Sequence, residues 1–189
     1  IARIKNVSTK DEYDTDLYSD DMDYNLVEII EAELKNYKKS FALYDFTDMI
    51  EKFIGSELCP KFDVVFIDEA QDLSPIQWKM YDIIKQNTKM MILAGDDDQA
   101  IYGWAGADVQ RFQEEPAKEK TLPKSYRVPI RVQQVADSII SQIETRIEKV
   151  WEPRDNEGHC EEVYDLDEVD LTQGRWLILA RTNYRLIKM

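Results

Sequence analysis

Two apolar runs that each end in a cluster of acidic residues constrain this chain more than any other feature. Residues 62–72 read FDVVFIDEAQD, and the apolar part ends abruptly at Asp68 and Glu69. Residues 90–99 read MMILAGDDDQ and have the same shape. Short apolar runs bounded by turn signals are typical of buried strands. Ligands bind at the carboxyl ends of strands in open α/β sheets, so the pattern predicts a metal and a phosphate there.

Composition limits the kinds of protein that this chain can form. Its 189 residues suit one domain, or one domain and part of another, and 43% hydrophobic residues can form a core. A formal net charge of -14 argues against a basic protein that coats nucleic acid, although a local DNA-binding groove stays possible. Cys59 and Cys160 are too few for a disulfide framework. Without a membrane-length apolar run or a signal peptide, we expect an intracellular, cytoplasmic protein with no membrane partner.

Helical and strand patterns alternate along the chain, which predicts an α/β fold with a parallel sheet flanked by helices. One helix separates the two acid-tipped strands, so they should be parallel neighbours. We place a domain boundary near residues 150–157, where the composition becomes polar. The predicted helices cover residues 25–40, 45–53 (ended by Gly55), 75–84 and 129–147, and further short strands are predicted at 120–122, 162–165 and 176–180.

The acidic residues and Gln99 suit a site for phosphoryl transfer. Asp68 could bind Mg²⁺, which takes oxygen ligands and often uses one or two carboxylates. Glu69 could deprotonate a water that attacks a γ-phosphate, and Gln99 could contact that phosphate or the water. The alternative is that Asp68 and Glu69 only cap the following helix and that Gln99 is an ordinary surface residue.

Aromatic and basic residues outside the acidic runs add two further candidates. Tyr102 and Trp104 lie in the loop IYGWAGAD, where they could stack on unpaired bases at roughly 1–3 kcal/mol per base. They could equally be core anchors. Tyr126 could stack on a nucleobase, and Arg127 could complete a phosphate site. A surface arginine beside a packed tyrosine is the alternative for that pair.

Three segments in this order are familiar from one family. DEAQD (68–72), GDDDQAIYGWAGAD (95–108) and LPKSYRVP (122–129) resemble motifs II, III and IV of the UvrD/Rep/PcrA branch of superfamily 1 DNA helicases. YDFTDMI (44–50) is similar to the short motif that precedes the Walker B strand in that family. ILARTNYRL (178–186) resembles the strand that begins the second motor domain.

The resemblance implies a RecA-like P-loop NTPase fold and the start of a second RecA-like domain. It divides the chain into 1–40 (the tail of an accessory insertion or a helical lead-in), 41–150 (the back part of the first motor domain) and 151–189 (the start of the second). It implies hydrolysis of ATP with Mg²⁺, and movement 3′ to 5′ on single-stranded DNA and at single-strand/duplex junctions.

The resemblance also assigns roles to individual residues by motif match. Asp68 would bind Mg²⁺ and Glu69 would be the catalytic base. Gln99 would contact the γ-phosphate and couple it to DNA. The remaining assignments are Tyr126 near the adenine, Arg127 at the γ-phosphate, and Tyr102 and Trp104 facing single-stranded DNA.

The sequence departs from the family pattern in ways that limit the expectation. No GxxxxGK[ST] occurs in the 189 residues, so we expect a central fragment that is inactive alone. Ala105 stands where the family usually has arginine. Two alternatives stay open: a helicase–nuclease subunit of the RecB or AddA type, and a DNA-binding scaffold relative that lost catalysis.

Overall fold

The computed structural model describes residues 1–15, 23–165 and 168–180. They belong to two compact units, one of residues 1–121 with 143–149 and the other of 122–142 with the described part of 150–189. The elements of the described residues are α1 (Ala2–Lys5), α2 (Thr9–Asp14), α3 (Tyr24–Phe41), α4 (Phe46–Ser56), β1 (Phe62–Ile67), α5 (Pro75–Gln86), β2 (Thr88–Leu93), α6 (Val109–Gln113) and α7 (Ile130–Ile140).

The first unit contains a parallel pair of strands, as predicted. Val64 of β1 lies opposite Met90 of β2, and Ile67 lies opposite Leu93. The ladder continues past the strands, because the backbone N–H of Ala94 donates to the Ile67 carbonyl at 2.8 Å. Both acidic clusters therefore follow strands that end at the same edge of the sheet.

The prediction that both strands are buried is wrong. Side chains alternate between the two faces of a strand, and only the face that carries Val65 and Met91 is half buried. On the other face Val64 is 44% exposed and Phe66 is 73% exposed. The described sheet also has two strands only, so the RecA-like sheet remains a prediction.

The core of the first unit lies on α5. Ile76, Trp78 and Tyr81 are each no more than 3% exposed, and the two rings meet edge to face with centroids 5.1 Å apart. As predicted, Ser74 caps α5, and its backbone N–H donates to the Gln77 side chain at 2.9 Å. The Tyr81 hydroxyl donates to buried Glu115 at 2.8 Å, which ties α5 to the chain just after α6. The end of β1 lies beside the segment that follows β2, because the backbone N–H of Ala70 donates to the Ala94 carbonyl at 2.9 Å.

The helices before the sheet agree with the sequence except at one end. The helix predicted from residue 45 forms as α4, with Asp45 as its N-cap and a reciprocal bond to Asp48. Gly55 does not end this helix: Gly55 lies inside α4, and Glu57 takes the left-handed conformation with φ 55° instead. Arg3 bonds Asp45, Asp48 and Glu51 of this region, which joins α1 to α4.

The second unit contains α7 and differs most from expectation. The helix predicted to reach residue 147 ends at Ile140, with Ser141 as its C-cap. The apolar spacing continues, but residues 143–149 instead bond to the acidic segment after β2 in the first unit. None of the short strands predicted at 120–122, 162–165 and 176–180 forms among the described residues. Lys124 and Glu152 make an isolated parallel bridge. Residues 181–186 of the resemblance lie outside the described residues.

Within the described ranges, no helix has both the length and the apolar character to cross a membrane.

Candidate active site

Asp68 and Glu69 form the first acidic cluster, directly after β1. The backbone N–H of Glu69 donates to Asp68 Oδ1 at 3.0 Å. Glu69 itself has φ 53° and ψ 42°, a left-handed conformation that is uncommon for a residue other than glycine. Non-glycine residues in this region concentrate at functional sites, where surrounding structure holds them. The turn that follows, Ala70–Asp72, is a short 3₁₀ helix and not the α-helix that the capping alternative requires.

This first cluster has no cation of its own in the described part of the chain. Both carboxylates are exposed, and no lysine or arginine among residues 1–15, 23–165 and 168–180 forms an ion pair with either. Two adjacent, uncompensated carboxylates at the end of a parallel strand are oxygen donors of the type that Mg²⁺ prefers. The donor set therefore fits the metal that the sequence predicts for Asp68.

The second acidic cluster, Asp96 to Asp98, is compensated in large part by two cations of the protein, Lys149 and Arg146. Their carboxylate oxygens lie within 4.8 Å of one another. The Lys149 ammonium lies 2.8 Å from Asp96 Oδ1 and 3.1 Å from Asp98 Oδ2, and also contacts Asp97. Arg146 makes a two-pronged pair with Asp98 at 2.7 and 2.6 Å. An ammonium thus lies where a metal ion would otherwise compensate these three carboxylates.

The pKa values of this second cluster follow from its contacts. Burial acts to raise the pKa of Asp97, but hydrogen bonds from Lys149, the Ile147 backbone and Gln113 outweigh it, so the net pKa is lowered. The bond from Arg146 lowers the pKa of Asp98. Burial acts to lower the pKa of Lys149, yet the hydrogen bonds to the three carboxylates raise it overall. All of these groups are therefore charged at neutral pH.

A continuous set of hydrogen bonds joins the two clusters. Glu69 Oε2 accepts from Gln71 Nε2 at 2.8 Å, and Gln71 Oε1 accepts from the Asp96 backbone N–H at 3.0 Å. Asp96 Oδ2 in turn accepts from Gln99 Nε2 at 2.5 Å. Gln99 is exposed and lies in the 3₁₀ turn Asp97–Gln99, not at the strand end where the sequence places it. The fold thus brings Asp68, Glu69 and Gln99 into one network.

The aromatic loop follows Gln99 within the same unit. Trp104 is 76% exposed and Tyr102 is 47% exposed, with ring centroids 6.5 Å apart, so neither ring is a core anchor. Gly106 has φ 98°, which completes the turn, and the Asp108 backbone N–H donates to the Leu73 carbonyl at 2.9 Å. This bond holds the loop beside the segment that follows β1. A cleft of about 210 Å³ lies next to Tyr102 and is lined by Phe46 and Ile50 of α4.

Tyr126 and Arg127 belong to the second unit, before α7. The Ser125 hydroxyl accepts from the backbone N–H of Arg127 at 3.4 Å and of Val128 at 3.1 Å, which shapes this turn. Tyr126 is 82% exposed, so it is not a packed ring. Arg127 forms no ion pair with any residue in the described ranges. Both side chains are available to a ligand, and their predicted roles stay predictions.

Sequence reasoning missed four contributors to this region. Gln71 stands inside the DEAQD motif but received no role, because an isolated glutamine carries no signal of burial. The role of the Asp96 backbone N–H was missed because a sequence motif describes side chains and not backbone contacts. Arg146 and Lys149 were missed because their apolar neighbours fit the helix period. Their partners Asp98 and Asp97 lie about fifty positions away, and no local pattern indicates contacts over such a separation.

Comparisons with known proteins agree with these motifs. The model of the UvrD/REP helicase N-terminal domain matches residues 1–120. The chain is 33% identical over 96 residues to DNA helicase II of Haemophilus influenzae, covering 48% of this chain and 13% of that protein.

Two further relatives cover more of the chain. ATP-dependent DNA helicase Rep of Buchnera aphidicola is 31% identical over 124 residues, or 58% of this chain and 18% of that protein. The putative ATP-dependent DNA helicase YjcD of Bacillus subtilis is 28% identical over 162 residues, which cover 78% of this chain and 20% of that protein. The chain therefore spans no more than a fifth of the length of these relatives. With the family model matching well over half of its residues, this chain belongs to the UvrD/REP helicase N-terminal domain family.

Proposed function

We propose that this chain carries half of the ATP-hydrolysing site, and part of the DNA-binding surface, of a UvrD/Rep-type DNA helicase. The whole protein would move 3′ to 5′ on single-stranded DNA and act at junctions with duplex. The parallel strands would be part of a RecA-like sheet. One observation carries the proposal: the carboxylates of Asp68 and Glu69 have no cation in the described residues, while the acidic cluster beside them is compensated.

Each residue has a defined task in this proposal. Asp68 would hold Mg²⁺, which when bound supplies positive charge to the β- and γ-phosphate oxygens. Glu69 would take the proton of the water that attacks the γ-phosphate. Gln99 would donate or accept a hydrogen bond at that phosphate and report its loss to the following loop. Tyr126 would stack near the adenine, and Arg127 would stabilise negative charge on the γ-phosphate.

Exposure supports the DNA part of the proposal. Trp104 and Tyr102 present ring surface that no described residue covers, on the loop that starts at Gln99. Base stacking on such rings is tolerant of sequence, which suits a motor that moves along any strand. Because Tyr102 and Trp104 follow Gln99 closely in the chain, a movement of Gln99 would displace both rings.

The absence of GxxxxGK[ST] from the sequence bears on the isolated chain. Without a lysine loop to hold the β- and γ-phosphates, Asp68 and Glu69 have no anchored substrate. We propose that the 189-residue chain alone hydrolyses almost no ATP, and that turnover requires a segment carrying that loop.

Glu69→Gln in the whole protein tests the catalytic assignment. It keeps the shape of the side chain but removes the base, so kcat for ATP should fall about 10²- to 10⁴-fold while ATP binding is kept. Glu33→Gln, the same change at an exposed glutamate of α3, is the control. Near-normal turnover in Glu69→Gln would remove Glu69 as the base.

Trp104→Ala tests the DNA assignment. DNA-stimulated ATPase should fall more than basal ATPase, because the ring contacts DNA and not the nucleotide. Tyr164→Ala removes another exposed ring, one that is 96% exposed and outside the loop, and serves as the control. Equal loss of both activities in Trp104→Ala would contradict the assignment.

A further inference from the structure

Gln71 is among the most deeply buried large side chains of the described residues, and it is polar. It is 1% exposed and lies in the 3₁₀ turn Ala70–Asp72 between the two acidic clusters. A buried amide is costly unless its polar atoms find partners. Both ends of this amide have one: Nε2 donates to Glu69 Oε2 at 2.8 Å, and Oε1 accepts from the Asp96 N–H at 3.0 Å.

The two partners select glutamine at this position. Glu69 needs a donor and the Asp96 N–H needs an acceptor, and a neutral amide offers one of each at a fixed separation. A leucine or methionine would fill the space without either bond. A carboxylate would accept from Asp96 but would face Glu69 with a second negative charge.

Packing holds the amide in this position. A Cβ on Gly95 would lie 2.7 Å from Gln71 Oε1 and 2.9 Å from the Phe112 ring. Only a glycine therefore lets the Gln71 side chain pass so close to the backbone that precedes Asp96. The Phe112 ring of α6 also lies close to Gly95, and the two hydrogen bonds of the amide hold Gln71 in this position.

The bonds continue from Asp96 to the residue proposed to contact the γ-phosphate. Asp96 Oδ2 accepts from Gln99 Nε2 at 2.5 Å, and Asp96 Oδ1 accepts from the Asp98 N–H at 3.2 Å. The Glu69 carboxylate and the Gln99 amide are thus connected through one buried side chain and one aspartate.

We propose that Gln71 is a positioning residue that holds the Glu69 carboxylate toward the attacking water and keeps it in step with the Gln99 segment. This rests on the function proposed above. Because it is buried, Gln71 would reach neither nucleotide nor DNA. Its hydrogen bond holds the carboxylate of Glu69, whose backbone is already in the left-handed conformation. When the Gln99 segment moves, the Asp96 N–H moves with it. The two hydrogen bonds of the Gln71 amide would transmit this displacement to the Glu69 carboxylate.

The first test is Gln71→Met in the whole protein, which keeps the volume and removes both hydrogen bonds. We expect kcat for ATP to fall about 10- to 100-fold, as for other partners that orient a catalytic group, with KM for ATP unchanged. The ratio of DNA-stimulated to basal ATPase should fall as well. Gln133→Met, which loses a bond to the Trp151 carbonyl in the second unit, is the matched control and should keep both quantities.

Gln71→Glu provides a second test of the proposal if loss of packing obscures the effect of Gln71→Met on kcat. A protonated carboxyl at position 71 can donate to Glu69 as the amide does, whereas the ionised form repels it. Its kcat relative to wild type should therefore be highest at low pH and decrease as the introduced carboxyl ionises. Circular dichroism over the same pH range shows where the variant stays folded, and a kcat ratio that does not change with pH within that range would contradict the positioning role.

A double variant separates this proposal from the one on which it rests. If Gln71 acts through Glu69, Gln71→Met should cause no further loss of kcat in a Glu69→Gln background. Wild-type kcat in Gln71→Met beside an inactive Glu69→Gln would overturn the role of Gln71 alone. Full activity in Glu69→Gln would overturn the catalytic assignment, and the positioning role with it.

Discussion

The two acidic clusters end neighbouring parallel strands, and from sequence they look alike, but the fold treats them differently. Asp68 and Glu69 after β1 are exposed and have no ion pair in the described residues. Asp96, Asp97 and Asp98 after β2 are partly or fully buried, and Lys149 contacts all three. One cluster keeps its full negative charge, whereas Lys149 and Arg146 compensate most of the charge of the other.

The difference separates carboxylates that the protein itself pairs from carboxylates that are left open to a ligand. A compensated cluster stabilises the loop that carries Gln99, because its charges and hydrogen bonds are satisfied by the protein. No described cation pairs with the cluster after β1, so its carboxylates stay open to a ligand, as the proposed Mg²⁺ site requires. Variants that remove one charge, either from the cluster after β1 or from the cations that compensate the cluster after β2, test whether the two clusters differ in this way.

The largest expected effect is on catalysis, from Asp68→Asn in the whole protein. Loss of the metal ligand should remove several kcal/mol of transition-state stabilisation, or about a hundredfold or more in ATP turnover. Turnover measured against Mg²⁺ concentration checks this, since excess metal should restore part of the rate. Asp63→Asn, at the opposite end of β1 and 81% exposed, should leave turnover near wild type. A normal rate in Asp68→Asn would contradict the assignment of Asp68 as the Mg²⁺ ligand.

The next effect is on stability, from Lys149→Met in the chain itself. The variant leaves Asp97, whose side chain is 1% exposed, without its cation. We expect the free energy of unfolding to fall by about 2 kcal/mol, less than for a fully buried pair because Lys149 keeps some solvent contact. Urea unfolding measures it. Lys79→Met, an exposed lysine on α5 with no ion pair among the described residues, should change stability by less than about 0.5 kcal/mol.

The third and smaller expected effect is a change with pH in the difference in free energy of unfolding between wild type and Lys149→Met. The pKa values of Asp97 and Asp98 are lowered from 3.8, so their contribution is complete above about pH 3.8 and is lost as the pH falls through the lowered values. The pKa of Lys149 is raised from 10.5, so its contribution is lost only as the pH rises through that higher value. The stability gap between wild type and Lys149→Met should be constant near neutral pH and should narrow in acid. A gap that widened in acid would contradict the ion-pair account.

The smallest expected effect is that of Asp68→Asn on stability. With no ion pair to lose in the described structure, the free energy of unfolding should change by less than about 0.5 kcal/mol. Asp98→Asn, which loses its pair with Arg146, should cost clearly more in the same urea experiment. Equal losses in the two variants would show that Asp68 is as structural as Asp98.

Local patterns predicted much of the fold. The strand at residues 62–67 forms as predicted, the second strand begins one residue early, and the helix capped by Ser74 and Pro75 lies where its signals place it. These elements depend on apolar period, proline and capping side chains, which are all within a few positions. The end of α7 could not be predicted in this way, because its apolar spacing continues past Ile140.

The candidate site was predictable to a similar degree. Asp68, Glu69 and Gln99 were found because acidic and amide residues after apolar strands indicate a phosphate site. Gln71, Lys149 and Arg146 were not, since their roles depend on burial and on contacts across 25 to 53 positions, including the bonds from Gln71 to Asp96 and from Lys149 to Asp96. No local period contains that information.

The sequence by itself determined the two acid-tipped strands, their parallel order and the motifs that place the chain among UvrD/REP helicases, because these depend on short-range pattern and residue chemistry. Only the tertiary structure decided which acidic cluster is left open. That choice depends on where residues 143–149 return to the first unit, bringing Lys149 to the cluster after β2 and leaving the cluster after β1 with its charge uncancelled by any described residue.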